Sequence, residues 1–260
     1  MPSFPDTDSR TAVETAAPHA SATVEGLVNF RDLGGRRRRN GALTPHGVFF
    51  RSETVDLIRP GGWDTLHALG IRTVVDLRQP PERARDTAAR PDWLTTVPAD
   101  LDGLAENPEF WEGYWNNGLM GTALYYLPHL TRLPDRMGAV LQALADAPPG
   151  GVLFHCMAGR DRTGMTAMVL LAAVGVEPEE ILDDYLETVR RADALAASTG
   201  RANPEAESER LCSAYGSSTA SAFRDALQGL DLDRLFRDAG LSPEVRDRIR
   251  TWRGTLPAGP

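Results

Sequence analysis

Ten consecutive residues carry the types and spacing from which chemistry can be argued: His155-Cys156-Met157-Ala158-Gly159-Arg160-Asp161-Arg162-Thr163-Gly164. A cysteine is followed six places on by an arginine, with a glycine between them and a threonine just beyond. The spacing alone is weak, because 28 of 260 positions are Arg and roughly one Cys in nine would show it by chance. Its context is stronger. Converging backbone amides, a helix N-terminus and a guanidinium hold a phosphate dianion, and the same groups favour an ionised thiol. That combination suits phosphate-ester cleavage, with Cys156 as nucleophile and Arg162 forking onto two non-bridging oxygens that it follows into the transition state. Met157, Ala158, Gly159, Arg160 and Thr163 then line the phosphate, with the Thr163 hydroxyl placed to donate to the thiolate. The leaving alkoxide or phenoxide takes its proton from Asp161 or Asp76. Hydrolysis through a phosphocysteine needs no metal and no cofactor.

Such a loop requires a strand that ends at the thiol and a helix that starts at the arginine. Residues 152–154 form a short apolar run and 162–174 a helical one, which together make half of a βαβ unit. Before them, the apolar runs 27–30 and 48–51 read as strands flanking a hairpin that turns at Asn40-Gly41, and 60–69 reads as a helix feeding a β-branched strand at 71–75. Residues 93–97 suggest a further strand closed by Pro98, and 109–145 two or three helices divided by Pro128 and Pro134. After the loop come helices at 178–190, 220–227 and 243–252, the last marked by a Ser242-Pro243 start. The polar stretch between the first two reads as broken. The fold class expected is α/β: one domain over 25–260 with a central, mostly parallel sheet flanked by helices and a helical C-terminal half. Residues 1–24 lack any apolar period and read as a disordered tail.

Composition narrows the function classes. All 28 basic residues are Arg, against 36 acidic ones, for a net charge of −8. Without Lys there is no Schiff base, no Walker-type phosphate lysine and no Lys base. The negative charge argues against general nucleic-acid binding, and the run from Arg36 to Arg39 reads as a solvated hairpin rather than a lipid or nucleic-acid patch. Two cysteines are too few for a disulfide framework, and the longest apolar stretch, 167–176, is about half of the roughly 20 residues a bilayer span needs. These features, with no secretory-type start, point to a cytoplasmic protein without integral membrane association.

The loop resembles the signature of cysteine-based protein tyrosine phosphatases, in particular the atypical bacterial tyrosine and phosphoinositide phosphatases whose loop reads His-Cys-x-Ala-Gly-Lys-Asp-Arg-Thr. The likeness extends to Asn29-Phe30-Arg31-Asp32-Leu33-Gly34-Gly35, Phe50-Arg51-Ser52, Val75-Asp76-Leu77-Arg78, Asp184-Tyr185-Leu186 and the segment 235–241. It therefore covers nearly the whole chain after the tail. The resemblance implies Cys156 as nucleophile, Arg162 as phosphate clamp, Asp161 as the acid that protonates the leaving group and Asp76 lining the same site, with phosphotyrosine proteins or phosphoinositides as partners. The sequence departs from the pattern at Arg160, where the family usually has Lys, and at 192–218, where the family often has helices lidding the site and this chain is polar and rich in small residues. Two other readings remain: a phosphate-binding module without turnover, and a sulfurtransferase, which has less use for the Arg and Thr.

Overall fold

The computed structural model describes residues 22–257. Most of the expected tail lies outside the described residues; within them, packing begins before residue 25, since Val24 is buried.

Five strands form one sheet: β1 (Arg31–Asp32), β2 (Phe49–Ser52), β3 (Ile71–Asp76), β4 (Thr95–Pro98) and β5 (Gly151–His155), in the order β1-β2-β5-β3-β4. Only the β1–β2 pair is antiparallel; β2–β5, β5–β3 and β3–β4 are parallel. The helices are α1 (Pro60–Ala68), α2 (Pro80–Arg83), α3 (Pro108–Trp111), α4 (Tyr126–Arg132), α5 (Pro134–Asp146), α6 (Asp161–Ala173), α7 (Pro178–Arg190), α8 (Ala192–Thr199), α9 (Glu205–Ala214), α10 (Thr219–Gln228), α11 (Leu232–Asp238) and α12 (Pro243–Arg250).

Successive side chains of a strand point to opposite faces, and the central strands divide their apolar residues accordingly. Phe49, Val75, Val152 and Phe154 join a large core with residues of α4 to α7 and α10 to α12, whereas Phe50, Val74 and Leu153 join a smaller one with Leu66 of α1, Val24 and Phe30. A sheet covered on both faces can afford parallel strands with continuous apolar runs. Helix α6 is buried over ten consecutive residues, Arg162 to Leu171, as a helix enclosed on all sides must be. The C-terminal ends of β2, β5 and β3 lie in register at Ser52, His155 and Asp76. The loop 156–160 leaves from this edge, where open parallel sheets place their ligands.

Four expectations shift. The strand expected at 27–30 falls instead at Arg31–Asp32, because the Glu53 carboxylate accepts from the amides of Val28 (2.5 Å) and Asn29 (2.9 Å) and takes them out of the ladder. The strand expected at 93–97 starts two residues later and includes Pro98; Trp93 lies instead beside His67 and under Arg72. Pro128 divides nothing, since it sits in the first turn of α4, where a missing N–H costs no helical bond. The stretch expected to be broken, 192–218, carries the two helices α8 and α9, separated by Gly200 at φ +65° and the 201–204 connection.

Candidate active site

The loop's shape follows from where its carbonyls go. The Met157 oxygen accepts from the Thr54 amide (2.9 Å), Ala158 from Asn29 Nδ2 (3.1 Å), Gly159 from Arg51 Nη2 (2.6 Å), and Arg160 from the Gly164 amide (2.8 Å). In a trans peptide the N–H points opposite to the carbonyl before it. Pinning four successive carbonyls onto the scaffold therefore turns the amides of Ala158, Gly159, Arg160 and Asp161 the other way, at the N-terminus of α6. Among the described residues no protein acceptor meets these four amides. The turn is possible because Gly159 adopts φ +68°; a Cβ there would also stand 2.4 Å from the Ser52 oxygen. Amides aimed in common at a helix N-terminus form an anion nest.

The pins are themselves fixed by a buried ionic network. Asp184 of α7 receives Arg31 Nε at 2.7 Å and Arg51 Nη1 at 2.5 Å, and its own backbone oxygen receives Arg31 Nη2 at 2.7 Å. Arg31 also bonds the Asn29 side chain that holds Ala158. Burial alone would raise the Asp184 carboxyl, but Arg31, Arg51 and Arg36 hold it far below the ordinary carboxylate range. Arg31 is pushed down to about 10 by burial and by the neighbouring Arg51. Within the basic run at 36–39, Arg36 reaches Asp183 and Asp184 and Arg38 donates to the Val174 oxygen, while Arg37 and Arg39 are exposed.

Cys156 follows β5 directly and is 3% exposed. Arg162, six residues on, is held by two carboxylates that the sequence reading missed. Glu82 of α2 takes Nη1 at 2.5 Å and Nη2 at 2.9 Å, and Asp102 lies 3.2 Å from Nη1. Glu82 occupies the end of the guanidinium, which leaves Nε uncommitted among the described residues. Asp102 is bonded by Gln79 Nε2 at 2.7 Å, and burial pushes it up to about 6 against the pull of Arg162. Glu82 had a local signal, the capping bond its carboxylate accepts from the Gln79 amide at 3.0 Å; Asp102 had none.

The acids proposed from sequence are placed differently from one another. Asp161 opens α6 with its side chain 23% exposed, and its carboxyl is pushed up by burial with Arg160 opposing. Asp76 is nearly buried and takes four bonds from Arg78. Burial would raise it, but those bonds and the facing His155 hold it below its ordinary range. His155 contacts the Cys156 carbonyl through Nδ1 at 3.0 Å, and burial lowers its pKa. The bond expected from Thr163 is not made; its hydroxyl is buried and unpartnered among the described residues. Arg160 does not reach over the loop either. It is 3% exposed and forks onto Glu205 of α9. Helices α8 and α9 wall a cavity of about 240 Å³ whose other side is Met157, Ala158 and Arg160. A larger hollow, about 770 Å³ and beside Gly47, Gly70 and Gly151, lies at the far ends of the strands and contains none of the loop. Among the described residues no group of His, Cys, Asp or Glu is arranged to hold a metal ion, and no helix is long and apolar enough to cross a membrane.

Known proteins resemble the chain over about two thirds of its length or more. A Cupriavidus necator protein provisionally named a tyrosine-protein phosphatase is 32% identical over 69% of this chain and 70% of its own length. A tyrosine-protein phosphatase of Nostoc commune is 30% identical over 68% of this chain and 66% of its own. The triple specificity protein phosphatase PtpB of Mycobacterium tuberculosis is 28% identical over 87% of this chain and 96% of its own. The sequence profile of the tyrosine phosphatase family matches residues 22–252, the loop, both flanking elements and the ionic network behind them included, and the chain belongs to that family.

Proposed function

We propose that residues 25–260 act as one phosphatase domain that hydrolyses phosphotyrosine through a phosphocysteine intermediate, without metal or cofactor. The observation that carries the reading is the set of four amides turned to the N-terminus of α6 beside Cys156 and Arg162. The Cys156 thiolate attacks phosphorus and the P–O bond to the leaving oxygen breaks. The amides and the Nε side of Arg162 take the charge on the non-bridging oxygens. Asp161, partly exposed and raised by its surroundings, gives the leaving oxygen its proton. Water then attacks the phosphocysteine, passes a proton to Asp161, and releases phosphate and the thiolate. Asp76 shapes the strand end through Arg78 rather than moving a proton.

The substrate argument rests on the cavity beside the loop. Leu195, Ala196 and Ala202 give it an apolar wall suited to a ring, and on its loop side Arg160 is committed to Glu205, which leaves Arg201 at the rim as the cation facing solvent. The apolar wall and the engaged Arg160 favour phosphotyrosine over phosphoinositide. A nucleophile that works as a free thiol also suits the cytoplasm; Cys156 and Cys212 are both unpaired.

The test is turnover of a phosphotyrosine peptide, a phosphoserine peptide and phosphoinositide vesicles by wild type and Cys156→Ser, with and without chelator. Wild type should prefer the phosphotyrosine peptide and ignore the chelator, and Cys156→Ser should bind phosphate with its rate lowered about 10⁴-fold or more. Turnover retained by the variant overturns the covalent mechanism, and faster turnover of the vesicles overturns the substrate assignment.

A further inference from the structure

The surroundings of Arg160 show a use for the guanidinium that an ammonium could not meet. Its Nε and Nη2 bond the two Glu205 oxygens at 2.7 and 2.8 Å, and its Nη1 bonds the Gly121 carbonyl at 2.7 Å and Asp161 Oδ1 at 2.9 Å. Its carbon lies 5.5 Å from the centre of the Tyr185 ring. Four interactions in three directions suit a planar fork and exceed what a point charge with three donors can satisfy in fixed geometry. Helix α9 reaches the same Gly121 carbonyl a turn later, through Ser208 Oγ at 3.1 Å.

We propose that Arg160 is a positioning residue that couples helix α9 to the acid of the loop: gripped by Glu205 on one side, it fixes the Asp161 carboxyl on the other. The inference rests on the reading of Asp161 as proton donor. Seated α9 keeps the guanidinium shared between two carboxylates. Displacing α9 removes Glu205, leaves the full cationic charge of Arg160 to Asp161 and holds that acid deprotonated. Proton donation is then strongest when the wall over the loop is closed.

The groups facing Asp161 fix the sign of the effect. Burial and the Glu205 charge raise it, while Arg160 and Arg162 lower it; the phenols of Tyr125, Tyr126 and Tyr185 also face it, and burial keeps all three neutral near pH 7. Replacing Glu205 by Gln removes an upward influence and strengthens a downward one. The acid then loses its proton at lower pH.

The experiment compares kcat–pH profiles on 4-nitrophenyl phosphate, whose leaving group needs little protonation, and phenyl phosphate, whose leaving group needs more. Wild type, Glu205→Gln, Glu205→Asp and Asp161→Asn are measured together. In Glu205→Gln the basic limb for phenyl phosphate should move down by about one pH unit, with a larger loss on phenyl phosphate than on 4-nitrophenyl phosphate above that limb. Glu205→Asp, which restores the charge, should return the limb most of the way. An unmoved limb, or an equal loss on both substrates that Glu205→Asp does not reverse, overturns the coupling. Asp161→Asn separates the two readings: a loss confined to phenyl phosphate keeps Asp161 as the acid whatever Glu205 does, and an equal loss on both substrates removes that reading and the coupling with it.

Discussion

The back and the front of the loop are held by the same kind of chemistry used in two different ways. Behind it, Arg31 and Arg51 meet Asp184 in a network whose side chains are 9%, 0% and 1% exposed, and which reaches the loop only through pinned carbonyls. In front, Arg162 and Arg160 fork onto Glu82 and Glu205, carboxylates that keep 22% and 14% of their surface. A buried charge that loses its partner costs several kcal/mol, whereas a carboxylate that keeps some solvent contact can be replaced in part by water. The back is therefore committed to one geometry and sets the shape of the nest. The front is adjustable and bears on what the arginines do within it.

Substitutions can break this contrast. The largest effect is expected for Asp184→Asn, which strands two buried guanidinium groups. It should cost about 3–5 kcal/mol, on the order of 10 °C in Tm, and abolish phosphate binding as the pins release. A calorimetric midpoint near wild type would show that the back is not the rigid half. Asp184 also marks a pH window. Its carboxyl lies below the ordinary value in the folded state, so its stabilisation is complete above the unfolded carboxylate pKa of about 4 and fades as the pH falls toward the folded value. Acid unfolding of the variant, followed by circular dichroism at the same pH values, should be less steep through that window.

Glu82→Gln tests the front. Removing one of the two anionic partners of Arg162 should lower kcat about tenfold on good and poor leaving groups alike, while Asp102 stays in place and Tm moves by no more than about 3 °C. A Tm loss comparable with that of Asp184→Asn would erase the distinction. The smallest effect is expected from Arg36→Ala at the solvent edge of the back network, where Arg36 Nη2 stands 3.4 Å from Asp184. Its cost should stay near 0.5 kcal/mol in urea denaturation, and a much larger value would extend the rigid region to the surface.

What the sequence made legible was local. The strand, loop and helix around Cys156 were readable because their apolar runs and the glycine lie within about twenty residues, and the fold class followed from alternating strand and helix signals. The ionic network was not readable: Arg31 and Arg51 precede Asp184 by 153 and 133 positions, and no local period announces such a pairing. The motifs containing those residues were recognised, but their joint work was not. Helices α8 and α9 were hidden by the connection 200–204, whose Gly, Asn and Pro read as continuous disruption although good helix formers lie on each side. Glu205 remained invisible as a partner of Arg160 because an acid in the first turn of a helix needs no further reason to be there.

The outward pinning of the loop carbonyls has a consequence for transplantation. The ten residues 155–164 look like a portable cassette that any strand-to-helix junction could accept. Three of the four carbonyl anchors lie outside it, on Asn29, Arg51 and Thr54. A graft would carry the thiol, the arginine and the glycine, yet leave its peptides free to rotate, and would hold oxyanions only weakly. The shape of the nest is thus inherited with the segments around the first strands of the sheet as much as with the loop itself.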